Sequence, residues 1–116
     1  SPTTQGYTDF LVRTASHGTF GDTVAALLPC MWGFNETGSQ LAATGRPDHE
    51  GYSQWIDMYA GKEFTQLTDW CKELMDEVAA RSAASARERY RERFLTSGRY
   101  EYRFWDAAWR QEAWEV

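Results

Sequence analysis

Apolar positions recur at helical spacing along most of the chain, and no stretch alternates apolar and polar residues for the length of a strand. The clearest stripe is Phe64, Leu67, Cys71, Leu74, Met75 and Val78, with Lys62, Asp69, Lys72, Glu73, Asp76 and Glu77 between or beside them. That pattern predicts an amphipathic helix from Glu63 to Ala80. Turn signals set off four more helical stretches. The first runs from Gly6 to Ser16 and ends in "SHGTFGD", where His17 and Gly18 stop the helix and Thr19 or Asp22 caps the next. The second runs from about Phe20 to Ala43 and closes in "ATGRPDHEG", with Gly45 as a C-terminal cap and Pro47 unable to continue the ladder. The third covers about His49 to Tyr59 and ends at Ala60-Gly61. The last starts after "RSAAS", runs through Phe94, loosens at "TSGRY" around Gly98, and resumes from Tyr100 to Trp114. An all-α helical bundle follows.

The second stretch is apolar on nearly every side. Cys30 and Phe34 lie one turn apart and share a face with Ala26, Leu27 and Leu41, while Val24, Leu28 and Trp32 occupy the other. It is therefore the expected central helix. Pro29 sits inside it, removes one backbone donor, and crowds the carbonyl near Ala25 at a cost of about 3 kcal/mol. The expectation is a kink that opens the helix just before Cys30. Cys71, in the amphipathic stripe, reads as a small buried hydrophobe.

Composition narrows the picture. A chain of 116 residues is one small domain that buries roughly two-thirds of its unfolded surface. Six Trp, six Tyr and six Phe give 16% aromatic residues, more than a plain bundle needs, so the helices are expected to surround an aromatic-lined space. The net charge of −5 argues against nucleic acid and anionic membranes as partners. The one basic run, "RERYRER" at 87–93, alternates with Glu and reads as a solvated helix face. No apolar run approaches the roughly 18 residues that span a bilayer, and no signal peptide opens the sequence. A cytoplasmic protein with two free thiols, Cys30 and Cys71, is expected. The sequence opens on "SPTTQGY" without Met, which suggests a piece of something longer.

In "SGRYEYRFW", Glu101 shares a helix face with Phe104, Trp105 and Ala108. A carboxylate in such company either pairs at the surface with Arg99 or Arg103, or has its pKa raised and works as a general acid or base near neutrality. The two histidines, His17 and His49, fall in turns and complete no ExxH or HExxH pair, and no phosphate-cradling glycine loop is present. Neither a metal nor another cofactor is expected.

Three segments, "AALLPCMWGFNETG", "WIDMYAG" and "SGRYEYRFWDAAWRQEAW", resemble the C-terminal half of the TenA family, also called thiaminase II or aminopyrimidine aminohydrolase, enzymes of thiamin salvage. The likeness runs from Tyr7 to about Trp114. It implies a haem-oxygenase-like helical fold without haem and hydrolysis of the C–N bond at the methylene of a 4-amino-2-methylpyrimidine. By motif match, Cys30 resembles the family nucleophile and Glu101 its acid/base residue. Tyr7 matches a tyrosine that flanks the ring, Tyr59 a second pocket tyrosine, and Phe104 a ring-stacking aromatic. Phe34 takes a pocket position where many members carry tyrosine.

Family chains are about twice this length, and their amino-terminal half adds helices and an acidic residue at the substrate. The resemblance therefore makes residues 1–116 the C-terminal half of one domain, completed by a complementary polypeptide and assembled like the family's homotetramers. Its substrate would be a small aminopyrimidine or thiamin. Two alternatives stay open: a non-catalytic helical scaffold that binds or regulates, and an enzyme of the same fold acting on another amine-bearing heterocycle.

Overall fold

A computed structural model describes residues 1–45 and 48–116, which form five helices; the expected role of Pro47 lies outside the described residues. Helix α1 spans Pro2–His17, α2 Phe20–Thr44, α3 Glu50–Ala60, α4 Lys62–Ala80 and α5 Ala84–Arg110. No strand occurs among the described residues.

The caps explain most boundaries. Ser1 accepts from the Thr4 amide, and Pro2 stands in the first turn, where its missing N–H costs nothing, so α1 begins four residues before the expected Gly6. Thr19 and Asp22 together make a reciprocal capping box at the start of α2. That helix closes at Gly45 with φ 125°, a conformation glycine adopts without penalty. The His49 ring accepts from the Gly51 amide and starts α3. At the other end of the chain Gln111, with φ 55°, stops α5 at Arg110, short of the expected Trp114.

One expectation about a helix break is corrected. Gly98 does not loosen α5, which runs unbroken through it for 27 residues. A single glycine costs about 1 kcal/mol in a helix interior, too little to divide a helix anchored along its length. Pro29 is buried within α2, which is continuous over 25 residues.

Helix α2 packs against all four others and is the central element, as its apolar surroundings predict. The residues at its contacts are small: Ala25, Ala26 and, across from Ala26 on α5, Ser97 are all buried. Gly38 does the same for the α3–α4 corner, since a Cβ there would stand 2.9 Å from Cβ of Tyr59. Close approach of backbones produces a plate measuring 49 × 43 × 19 Å, about two helices thick. Many large side chains are therefore left uncovered. Phe20, Leu27, Trp32, Leu41, Met58 and Trp70 are exposed, and Trp109 is 87% exposed.

Candidate active site

Three helices bring Tyr7, Cys30 and Glu101 together. Glu101 is 9% exposed, and it forms no ion pair with Arg99 or Arg103, both of which point outward. Its Oε1 is buried without a hydrogen-bond partner. That oxygen faces α2 at Gly33, where a Cβ would lie 3.8 Å away, so the absent side chain leaves room in front of the carboxyl group. Gly33 stands three residues after Cys30, on the neighbouring turn.

Burial dominates the electrostatics of this cluster. It pushes the Cys30 thiol up to about 11, with the negative charge of Glu101 adding to the effect. Burial also raises Glu101 above the usual carboxylate range. Tyr7 is raised as well, first by burial and then by the charges of Glu101 and Cys30. The negative charge of Glu101 disfavours ionisation of both Cys30 and Tyr7, so one negative charge is the most that the cluster holds comfortably.

A chain of buried hydrogen bonds sets the direction of the Tyr7 proton. The Ser97 hydroxyl donates to the Ala26 carbonyl at 2.6 Å, and a carbonyl offers no proton in return. The Tyr7 hydroxyl, 2.9 Å from the Ser97 oxygen, must then be the donor of that second bond. A proton donated by Tyr7 to Glu101 would lower the carboxyl pKa. In this geometry the Tyr7 proton goes to Ser97, and burial, which raises Glu101, outweighs the lowering effect of the nearby Tyr7 hydroxyl. Ala26 is also the next carbonyl after the Ala25 carbonyl, which Pro29 deprives of its helical donor. Ser97 thereby pins α2 at the turn that carries the thiol. Tyr7 itself stacks on Tyr100, with ring centroids 5.3 Å apart.

Next to this polar cluster lies an aromatic one. Phe34, one turn beyond Cys30, meets Tyr59 at 5.1 Å, Trp105 at 5.4 Å and Trp55 at 5.9 Å. Phe104 joins through the edge of Trp105, at 5.6 Å. Tyr59 is held from below by Asn35, whose side-chain amide donates to the Tyr59 carbonyl at 2.8 Å and to the Thr65 hydroxyl at 2.9 Å.

The six site residues singled out in the sequence thus fall into two adjoining groups: Tyr7, Cys30 and Glu101, and Phe34, Tyr59 and Phe104. The sequence reading missed Trp55, Trp105, Ser97 and Asn35. Trp105 was visible as the neighbour of Glu101 on the same face. Nothing local marks Ser97 or Asn35, whose importance comes from partners 71 and 24 residues away. Among the described residues no three His, Cys, Asp or Glu gather closely enough to hold a metal ion, and no helix is long and apolar enough to cross a membrane.

The arrangement offers a thiol, a carboxyl group of raised pKa and a wall of rings that suits a flat heterocycle. The description of the TENA/THI-4/PQQC family matches residues 1–111. The aminopyrimidine aminohydrolase of Halalkalibacterium halodurans is 37% identical over 113 residues, which is 97% of this chain and 50% of the relative. That of Bacillus subtilis is 39% identical over 114 residues, 98% of this chain and 48% of the relative. A thiamine biosynthesis multifunctional protein of Corynebacterium efficiens is 32% identical over 111 residues, 96% of this chain and 15% of the relative. The chain spans about half the length of the aminohydrolases it matches.

Proposed function

Because the chain belongs to the TENA/THI-4/PQQC family, we propose that it forms the cysteine-bearing half of the active site of an aminopyrimidine aminohydrolase in thiamin salvage. The observation that carries this reading is the convergence of Cys30, Glu101 and Tyr7, from three helices, beside the rings of Phe34 and Tyr59. The names of its aminohydrolase relatives support the reaction class.

In the proposed reaction the Cys30 sulfur adds to a ring carbon of the pyrimidine, which ends the aromaticity that otherwise holds the exocyclic amine in place. The ring electrons then expel ammonia from the methylene, water adds to the exposed carbon, and the sulfur leaves as the ring regains aromaticity. The net change is replacement of –NH2 by –OH with consumption of one water. Sulfur suits both steps, being a strong nucleophile and a good leaving group. With a thiol pKa of about 11, Cys30 is protonated at neutral pH and needs a base for attack. Glu101 is the carboxylate beside it, and its raised pKa makes its ionised form a better base and its neutral form an available acid for the departing amine. Phe34 and Tyr59 stack on the ring, and Phe104 borders it through Trp105.

The thin plate leaves many apolar side chains exposed, Leu27 and Trp32 on α2 among them, and these suit a second helical layer. We assign that layer to a complementary polypeptide corresponding to the other half of the relatives, within a larger oligomer. The test is release of ammonia from an aminomethyl-substituted 4-amino-2-methylpyrimidine by the assembled protein. Loss of turnover in Cys30→Ser with retained binding supports the reading. Undiminished turnover in that variant excludes the thiol as nucleophile, and binding without turnover in the wild type favours a non-catalytic scaffold.

A further inference from the structure

We infer that the cleft between the end of α1, the start of α2 and the first half of α5 is an oxyanion site for a phosphate group carried on a small molecule. It is separate from the Cys30 cluster: Asp22 in its wall and Cys30 are eight residues apart on α2, about 12 Å along the helix axis.

The cleft has a volume of about 500 Å3 and is lined by Arg13, Thr14, His17, Asp22, Arg89 and Arg93 among others. Three guanidinium groups against one carboxylate leave a local charge of +2, in a chain whose net charge is −5. Such a concentration is costly to assemble unless something negative enters it. Asp22 does not neutralise the cluster, because it is committed. It is 2% exposed, and both its oxygens accept from Nε of Arg89, at 2.9 and 3.1 Å. That geometry uses one edge of the Arg89 fork and leaves its terminal amines unbonded to protein.

Arg13 and Arg93 make no hydrogen bond or ion pair with any described residue. This distinguishes Arg93 from its neighbours in the basic run, since Arg91 pairs with Glu88 and Arg87 donates to the Ser82 carbonyl. Thr14 adds a second kind of observation. It is 7% exposed and lines the cleft, and its hydroxyl, which makes no hydrogen bond to a described residue, is open to whatever enters there. Planar forks from several sides with a hydroxyl between them match the tetrahedral oxygens of a phosphate.

The experiment uses the protein in its native assembly. Inorganic phosphate and glycerol phosphate are titrated by calorimetry at fixed ionic strength maintained with chloride, and vesicles carrying phosphatidate are tested in parallel by sedimentation. Saturable binding of the soluble phosphates, weakened about tenfold or more in the Arg13→Gln/Arg93→Gln double variant, is expected. Neither arginine has a protein partner, so the fold should survive, and unchanged ammonia release confirms that it has. The exposed control Arg81→Gln should bind as the wild type does. No saturable binding, binding equal in the double variant, or capture by vesicles alone overturns the proposal. None of these outcomes bears on the reaction proposed for Cys30.

Discussion

Tyr7 and Ser97, 90 residues apart in sequence, share a buried hydrogen bond in which the tyrosine is the donor. Beside them Glu101 keeps a raised proton affinity, because burial outweighs the lowering effect of Tyr7. Replacing Ser97 with Ala frees the Tyr7 proton to turn toward Glu101 and removes the side-chain bond to the Ala26 carbonyl. A loss of about 1–3 kcal/mol in stability is expected. The more specific readout is the acidic limb of the pH–rate profile, which should move to lower pH as Glu101 acidifies; a limb that stays in place would limit Ser97 to a packing role.

Glu101→Gln separates two effects of the same carboxyl group. A raised folded pKa means that the native state binds the proton more tightly than the unfolded chain, so stability falls as pH rises from the unfolded value through the folded one. The Gln variant should lose that decline and melt several degrees higher at neutral pH, while turnover collapses.

The thiol responds in the opposite sense to turnover. With its pKa at about 11 rather than 9.0, Cys30 carries about a hundredfold less thiolate at neutral pH and should react slowly with iodoacetamide. Removing the Glu101 charge should speed alkylation even as catalysis is lost. Faster alkylation and faster turnover together would contradict the role of Glu101 as base.

Asn35→Ala withdraws both bonds that hold the α3–α4 corner, to the Tyr59 carbonyl and the Thr65 hydroxyl. About 2 kcal/mol of stability should go with them. Because Trp55 packs 4.8 Å from Tyr59, loosening of that corner should also appear in near-ultraviolet circular dichroism. An unchanged aromatic spectrum would show that ring packing alone fixes Tyr59.

Asp22 has a depressed pKa: burial pushes it up, but the Thr19 amide, Arg89 and the Thr19 hydroxyl together outweigh that. Its stabilisation is therefore present above the ordinary carboxylate value and lost as pH falls through the lower, folded value, below about 4. Asp22→Asn should be less stable at neutral pH by about 1–3 kcal/mol and should lack that acidic transition. Identical acid unfolding of variant and wild type would overturn this assignment.

The helices were legible in the sequence wherever a local rule decided them. Thr19 and Asp22 announced the start of α2, and the apolar surroundings of Cys30 announced its central place. Failures came where distant contacts outvoted a local signal. Gly98 looked like a break because glycine weakens an isolated helix, yet α5 is held along its length by α1 and α2. The "RERYRER" run read as a solvated face, but Arg89 turns inward to Asp22, 67 residues away. The aromatic neighbours of Glu101 indicated its burial, whereas the direction of the Tyr7 proton depends on a carbonyl that no motif marks.

A plate only 19 Å through presents its site residues near its surface layers, about two helices deep. On the assignment proposed above, whatever lies against the Cys30 face is gripped jointly by this chain and its covering layer, so ligand affinity and subunit affinity become two readings of one free energy. Dilution should then loosen the small molecule, and a tight inhibitor should act as an adhesive between the halves.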